Sequence, residues 1–252
     1  MNSPKPIDLS IVVPAYQEAL VITATLRQLA DWLNDHDYGQ VEVVVVVAES
    51  PDGTAALARA ESSRFEHFQL IEPGARVGKG RDVRAGILAA NGRYRLFMDA
   101  DLATPLNHLD NVEGLMRQNA EVGIAVRDLA RIHHGLRRRV ISELGNILAQ
   151  VILLPGLKDT QCGFKVFRAD VAQAAFQRMT ITGWGFDLEI LAIIRKLGYK
   201  IETFSAPDWT DPKEKLDGLA SDSIVGAAGQ TFKDLIRVRL NLWRGVYRSH
   251  AK

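Results

Sequence analysis

Asp99-Ala100-Asp101 stands directly after the apolar run Tyr94-Arg95-Leu96-Phe97-Met98. Two carboxylates one residue apart at the mouth of a buried strand can hold a divalent cation, and the cation can hold a diphosphate. Mg2+ and Mn2+ favour oxygen ligands and are commonly shared between one or two carboxylates and phosphate oxygens. At average Asp usage an Asp-x-Asp tripeptide turns up about once by chance in a chain this long. Taken alone, the motif reads equally well as a solvated turn with two capping aspartates.

Other segments carry groups suited to an anionic ligand. Gly78-Lys79-Gly80-Arg81 lets the backbone approach a charged group that Lys79 and Arg81 can neutralise, and a helix starting there aims its N–H groups at an anion. A surface turn is the competing reading. Arg127 and the cluster Arg137-Arg138-Arg139 offer planar forks that bind phosphate oxygens bidentately; the cluster reads equally as a solvated or membrane-facing helix end. Tyr16 offers a ring on which a base can stack, and Glu18 suits a helix N-terminus. Cys162 reads as a buried structural thiol, since no His or Asn partner is adjacent. Trp184 either shapes a pocket or belongs to the core, and Asp187 and Glu189 are expected as charges opening a helix.

The elements that position these groups follow from hydrophobic period. Leu9–Val13 reads as a buried strand ended by Pro14, and Glu18–Leu33 as a helix with Leu20, Ile22, Leu26, Leu29, Ala30 and Leu33 on its apolar face. Val41–Val47 is β-branched and apolar on both faces, as a parallel strand covered on both sides should be, although Glu42 interrupts it. Further strands are expected at Phe68–Ile71, Tyr94–Met98, Glu121–Val126 and Tyr199–Phe204, with a loop from Asp159 running into a short strand by Arg168. Helices are expected from Thr54 to about Arg64, and over Lys79–Ala90, Arg137–Leu154, Phe186–Leu197 and Ser223–Leu242. Alternating strands and helices predict βαβ units and an α/β fold with a mostly parallel sheet. Ligands of such sheets bind beyond the carboxyl ends of the strands. The segments 14–18, 48–54, 73–80 and 99–105 should therefore meet at one crevice, which favours the cation-site reading of the Asp pair.

Composition sets limits. The 252 residues fit one sizeable domain, and an apolar fraction of 47% excludes disorder for most of the chain. A net charge of +1 gives no reason to expect nucleic acid as partner. A single cysteine fits a reducing compartment. Met1–Asp8 lacks a signal-peptide layout, and no stretch approaches ~20 apolar residues. A cytoplasmic setting is expected, with peripheral contact to the inner face of an anionic membrane. The basic segment 127–154, or a terminal helix carrying Lys233, Arg237, Arg239, Arg244 and Arg248, would make that contact.

Five segments occur in a telling order: Pro14-Ala15-Tyr16-Gln17-Glu18, Gly78-Lys79-Gly80, Asp99-Ala100-Asp101-Leu102-Ala103-Thr104-Pro105, Asp159-Thr160-Gln161-Cys162-Gly163-Phe164-Lys165 and Gly183-Trp184-Gly185-Phe186-Asp187. The set resembles the family 2 glycosyltransferases of the A-type nucleotide-sugar fold, and within them the polyprenyl-phosphate branch of dolichyl-phosphate glucosyl- and mannosyltransferases. The resemblance covers residues 9 to 210. It implies a single domain over 1–252, with a nucleotide-sugar half (1–126), an acceptor half (127–220) and a basic C-terminal helix (221–252). It implies inverting transfer of a hexose from UDP-glucose or GDP-mannose to a polyprenyl phosphate, with Mg2+ or Mn2+ on Asp99 and Asp101. Leu102-Ala103-Thr104-Pro105 resembles the glucosyl branch more than the mannosyl one.

By the same resemblance Asp101, Asp99 and Arg127 are the catalytic candidates. Pro14, Tyr16, Glu18, Glu49, Asp52, Lys79, Ala100, Arg139, Asp159, Gln161 and Trp184 are the substrate-binding ones. Where relatives carry two aspartates ending the second strand, this chain has Val47 and Ala48, with Glu49 the nearest carboxylate. That departure leaves the nucleotide open. A hydroxyl acceptor, and a catalytically silent nucleotide-sugar or lipid-phosphate binding protein, remain as alternatives. No general base is assigned, because a phosphate acceptor is already ionised near neutral pH.

Overall fold

β-Branched side chains dominate Val41–Val47 and recur in Leu9–Ala15, and both faces of these two neighbouring strands are buried. The computed structural model describes residues 5–128, 150–210 and 222–248. Within them a seven-stranded sheet forms from β1 (Leu9–Ala15), β2 (Val41–Val47), β3 (His67–Ile71), β4 (Tyr94–Met98), β5 (Val122–Arg127), β6 (Phe164–Arg168) and β7 (Ile201–Ala206), in the order β3-β2-β1-β4-β6-β5-β7. β1, β2, β3 and β4 run parallel, β5 runs parallel to β7, and β6 is antiparallel to both β4 and β5. The helices include α1 (Ile22–Asp35), α2 (Thr54–Ala60), α3 (Lys79–Ala89), α4 (Leu109–Arg117), α5 (Ala169–Phe176), α6 (Phe186–Lys196) and α7 (Asp222–Arg244).

Strand alternation divides the core into two layers. Ile11, Val13, Val43, Val45 and Val47 pack with Ile22, Leu26 and Leu29 of α1 and Leu109, Val112 and Met116 of α4. Val12, Val44 and Val46 face the other way, onto Val83 and Ile87 of α3 and the apolar sides of α5, α6 and α7. Gly86 lets α3 lie directly on the sheet, since a Cβ there would run into Val12 and Val46. Glu42, the break in an apolar run, is buried and satisfied. It accepts from the Ser10 hydroxyl at 2.5 Å and from the Asn91 main-chain and side-chain N–H at 2.9 and 2.8 Å.

Several boundaries differ from those read in the sequence. β1 continues through Pro14 to Ala15, with Pro14 in register with Val46. Proline is tolerated there because β4 pairs with β1 only as far as Val12, so no ladder on that side needs its missing N–H. α1 begins at Ile22 rather than Glu18, and Leu20 is 91% exposed instead of lying on the buried face. Glu18 lies one turn ahead, its carbonyl accepting from Val21 and Ile22 N–H. α2 ends at Ala60, with a 3-10 turn over Ser62–Arg64, and Arg127 closes β5 instead of following it. β7 lies two residues later than expected. α5 was not anticipated, nor was the reversed direction of β6. Most of the helix expected over Arg137–Leu154, with Arg131, His133, His134, Arg137, Arg138 and Arg139, lies outside the described residues.

Candidate active site

The strand ends do converge. The Gln17 N–H donates to Ser50 Oγ at 3.1 Å, the Glu18 N–H to Thr54 Oγ1 at 3.0 Å, and the Ala19 N–H to Asp52 Oδ2 at 3.1 Å, tying the loop after β1 to the loop after β2. The Glu49 N–H donates to the Gly74 carbonyl at 2.9 Å, which brings in the loop after β3. The Arg76 guanidinium lies 3.9 Å over the Tyr16 ring, so one face of the expected stacking platform already carries a cation. Asp52 is a loop fastener. Oδ2 holds Ala19, and Oδ1 accepts from the Thr54 N–H and hydroxyl at 3.2 and 2.7 Å. Val47 and Ala48 are buried, whereas Glu49 is exposed.

At the end of β4, Asp99 forms an ion pair with Lys79 from the start of α3. Its N–H donates to the Gly163 carbonyl at 3.1 Å, an approach made possible by antiparallel β6, whose Phe164 registers with Met98. Ala100 is buried, and its carbonyl accepts from the Thr25 hydroxyl at 2.5 Å. Asp101 accepts the Ala103 N–H at 3.1 Å. Burial works against the Lys79 ammonium, but the charges of Asp99, Asp187 and Asp101 outweigh it and hold its pKa above the ordinary lysine value. The Arg81 N–H is taken by the Gly78 and Thr182 carbonyls, both at 3.1 Å, and its guanidinium by Asp82 and the Pro73 carbonyl. The start of α3 is therefore less open to an anion than its sequence implied.

Gly163 has no room for a side chain, because a Cβ there would strike the Asp99 carboxylate. That carboxylate can swing aside only by leaving Lys79, so Gly163→Ala is expected to displace Asp99 and to lower the melting temperature modestly. Turnover should fall by about a hundredfold, the effect of a small misplacement at a reacting centre, and steady-state kinetics beside thermal denaturation checks both halves.

A second charged layer lies underneath. Lys165 is fully buried on β6, its ammonium donating to Asp187 Oδ1 and to the Cys162 carbonyl, each at 2.5 Å, and lying 5.2 Å from the centre of the Phe97 ring. Burial pushes the Asp187 carboxyl above the ordinary carboxylate range, and the Lys165 and Lys79 charges offset only part of that push. Glu189 is fully buried, accepting from the Thr180 and Ile181 N–H, the Thr180 hydroxyl and the Tyr247 hydroxyl. These two carboxylates hold structure together, beyond the helix-opening charge expected of them. Cys162 is buried with its thiol 3.6 Å from Thr104 Oγ1, and burial lifts its pKa to about 11, as suits a structural thiol.

Arg127 and Asp159 form a bidentate pair, Nε to Oδ2 at 2.7 Å and Nη2 to Oδ1 at 2.9 Å. The N–H groups of Arg127 and Gln161 also donate to Asp159, each at 3.1 Å, and the guanidinium sits 5.0 Å from the centre of the Trp209 ring. Burial pushes the Asp159 carboxyl up, but these donors and the Arg127 charge outweigh it and hold it below the ordinary range. Its contribution to stability is thus complete above the unfolded carboxylate value of about 3.9 and is lost as pH falls through the lower folded value. Asp159→Asn is expected to flatten the acid limb of a stability–pH curve below about pH 4; an unchanged limb would contradict this. Trp184 is 60% exposed, which removes it from the core, and its ring centre lies 5.3 Å from the Lys79 ammonium.

Lys165, Arg76 and Trp209 were missed in the sequence. Lys165 did leave a trace: a lysine inside Phe164-Lys165-Val166-Phe167 must find a buried counter-charge. Arg76 and Trp209 left none, because their ring contacts are formed between distant segments.

Comparison with known proteins agrees with this architecture. The model for "Glycosyl transferase family 2" matches residues 10–176. A dolichyl-phosphate beta-glucosyltransferase of Dictyostelium discoideum is 29% identical over 98% of this chain and 80% of its own length. One from Trichomonas vaginalis is 31% identical over 93% and 75% respectively. Among solved structures, glucosyl-3-phosphoglycerate synthase from Mycobacterium tuberculosis, in complex with Mn2+, uridine diphosphate and phosphoglyceric acid, shares the fold. Its TM-score is 0.69 at 19% identity, over 92% of this chain and 78% of that one. With the family model covering well over half of the sequence, and the sheet and helices of an A-type fold in place, this chain belongs to glycosyl transferase family 2 and is a glycosyltransferase.

Proposed function

We propose that this glycosyltransferase moves a hexose, glucose in preference to mannose, from a nucleoside diphosphate sugar to a polyprenyl phosphate, with inversion at the anomeric carbon. The observation that carries the reading is the meeting of Asp99, Asp101 and Lys79 at the carboxyl end of β4, facing the loops after β1, β2 and β3. The choice of glucose and of a lipid phosphate is supported by relatives named dolichyl-phosphate beta-glucosyltransferase along nearly the whole chain.

Asp101 and Asp99 fit Mg2+ or Mn2+ as hard carboxylate donors. A cation held by two carboxylates completes its shell with water and phosphate oxygens. When bound, the cation supplies Lewis-acid neutralisation of the departing diphosphate.

The chain's own residues do the rest by position and charge. Lys79 orients Asp99 and keeps a positive charge beside the leaving group. Tyr16, Glu18 and Glu49 line the nucleoside side, with Asp52 and the backbone at Pro14 and Ala100 holding the loops in place. Asp159, fixed by the Gln161 N–H, holds Arg127 in one orientation toward the acceptor phosphate, and Trp184 borders the sugar. An acceptor phosphate oxygen attacks the anomeric carbon as the bond to the diphosphate breaks, the electron pair leaving with the nucleoside diphosphate. Approach and charge neutralisation supply most of the acceleration.

Incubation with radiolabelled UDP-glucose or GDP-mannose, Mg2+ or Mn2+ and a polyprenyl phosphate tests this. Glucose label in the lipid phase is expected. Label only on a water-soluble hydroxyl acceptor would move the assignment there. Retained nucleotide binding with no turnover on any acceptor would favour a silent binding protein, the reading that buried Val47 and Ala48 support.

A further inference from the structure

Helix α7 buries Leu235 and Val238 against the core and keeps Asp234 beneath it, where Gln230 Nε2 donates to its carboxylate at 3.1 Å. Its opposite side is unusual. Phe232, Ile236, Leu240 and Trp243 are 50%, 39%, 39% and 83% exposed. At about 100° per residue they fall within a stripe roughly 80° wide along three turns. Scattered exposed apolar residues need no explanation, but a continuous stripe of large ones marks an interaction surface.

The charges around the stripe identify the partner. Lys233, Arg237 and Arg244 run along one border and Arg239 along the other, with Arg248 just beyond the helix, all exposed. From residue 232 to 248 the single acid is Asp234, and it is buried. An apolar stripe edged by cations on both sides is complementary to a surface with an apolar interior and anionic headgroups. A second copy of the chain would set like charge against like across the same stripe. Long basic side chains also reach sideways to headgroups while the apolar ones sink deeper.

The helix also touches the active site's border. A Cβ on Gly185 would collide with the Asp234 carboxylate, so α7 lies directly against the turn that carries Trp184, whose ring neighbours Lys79. We infer that this face of α7 is a docking surface for an anionic lipid bilayer. The helix lies in the interface, with Phe232, Ile236, Leu240 and Trp243 at the boundary of headgroups and acyl chains. The other side of the helix is held by the core through Leu235 and Val238, so the contact is of the lying-on kind.

The inference stands apart from the acceptor assignment, and its test uses vesicles without polyprenyl phosphate. The full chain is sedimented with vesicles of equimolar phosphatidylcholine and phosphatidylglycerol, or of phosphatidylcholine alone, at low and high salt. Binding to the anionic vesicles is expected, weakened at least about tenfold by high salt or by neutral lipid. Phe232→Ser/Trp243→Ser and Arg237→Glu/Arg239→Glu should each weaken it by a similar factor. All four side chains are exposed, so melting temperatures should match the parent. Should a variant melt lower, quenching of the parent's fluorescence by brominated lipid decides, and the quenched portion must vanish in Trp243→Phe. No sedimentation with anionic vesicles at low salt would overturn the inference. So would equal binding to neutral vesicles, or a dimer abolished by Trp243→Ser without vesicle binding.

Discussion

Asp101→Asn should lower sugar transfer by at least about a hundredfold, the scale of losing one electrostatic stabiliser of a developing charge, while leaving the fold intact. The separation of the two effects follows from the local bonding. Asp101 Oδ1 accepts the Ala103 N–H, and the Ala103 carbonyl in turn accepts from the Thr210 N–H at 2.9 Å. Asparagine keeps an oxygen for the first of these bonds, so this turn survives the loss of the negative charge. Asp99→Asn is a different experiment, because it also strips the partly buried Lys79 of its nearest counter-charge. It should therefore lower both turnover and melting temperature. Undiminished transfer by Asp101→Asn, in protein with a parental melting curve, would sink the proposed role of the Asp pair.

Lys165→Met should cost about 3–5 kcal/mol of stability, the range for removing one partner of a buried ion pair, or roughly 10 °C in melting temperature for a domain of this size. The ammonium is fully buried and Asp187 nearly so, and no water can replace the missing charge without opening the core beneath β6. The left-over Asp187 would carry a carboxyl pKa raised still further above its unfolded value. A raised carboxyl means that the folded variant favours the protonated form, so its deficit should be small near pH 4 and grow as pH rises, levelling off above the raised value. Adding Asp187→Leu should recover most of the loss, since a well-packed apolar pair often matches a buried ionic one. If the double variant is no more stable than Lys165→Met, the pair is not the unit of stability described above.

The sequence disclosed the parallel half of the fold well, because β1, β2 and β4 advertise themselves locally. Val41–Val47 is apolar at every position but one, and Tyr94–Met98 is bounded by Asn91-Gly92 and the Asp pair; both strands have the expected limits. The failures have physical causes. Leu20 was counted with the apolar face of α1, but at about 100° per residue it falls about 160° from Ile22, away from Leu26 and Leu29, and the chain leaves it in solvent two residues ahead of the helix. Pro14 looked like a terminator because its missing N–H breaks a ladder; it survives where β4 has already stopped pairing. Strand direction is a long-range property, so nothing in Phe164–Arg168 announced that β6 would run backwards between β4 and β5.

That reversal matters for the site. It sets Gly163 beside Asp99, puts Lys165 under the site with Asp187, and lets Asp159 meet Arg127. The residue types for binding a charged ligand were therefore legible, whereas their pairing was not. Lys79 looked available to a diphosphate and is found on Asp99; Asp52 looked like a ligand group and is found fastening two loops.

In the proposed mechanism the carboxylates ending β4 bind a nucleoside diphosphate through a divalent cation. Titration calorimetry of UDP, with GDP in parallel, in the presence of Mn2+ and then of a chelator, tests it on the parent and on Asp101→Asn. One of the two nucleotides is expected to bind the parent with Mn2+, with affinity at least about tenfold lower when either the cation or the Asp101 charge is removed. Equal affinity in all of these conditions would contradict it.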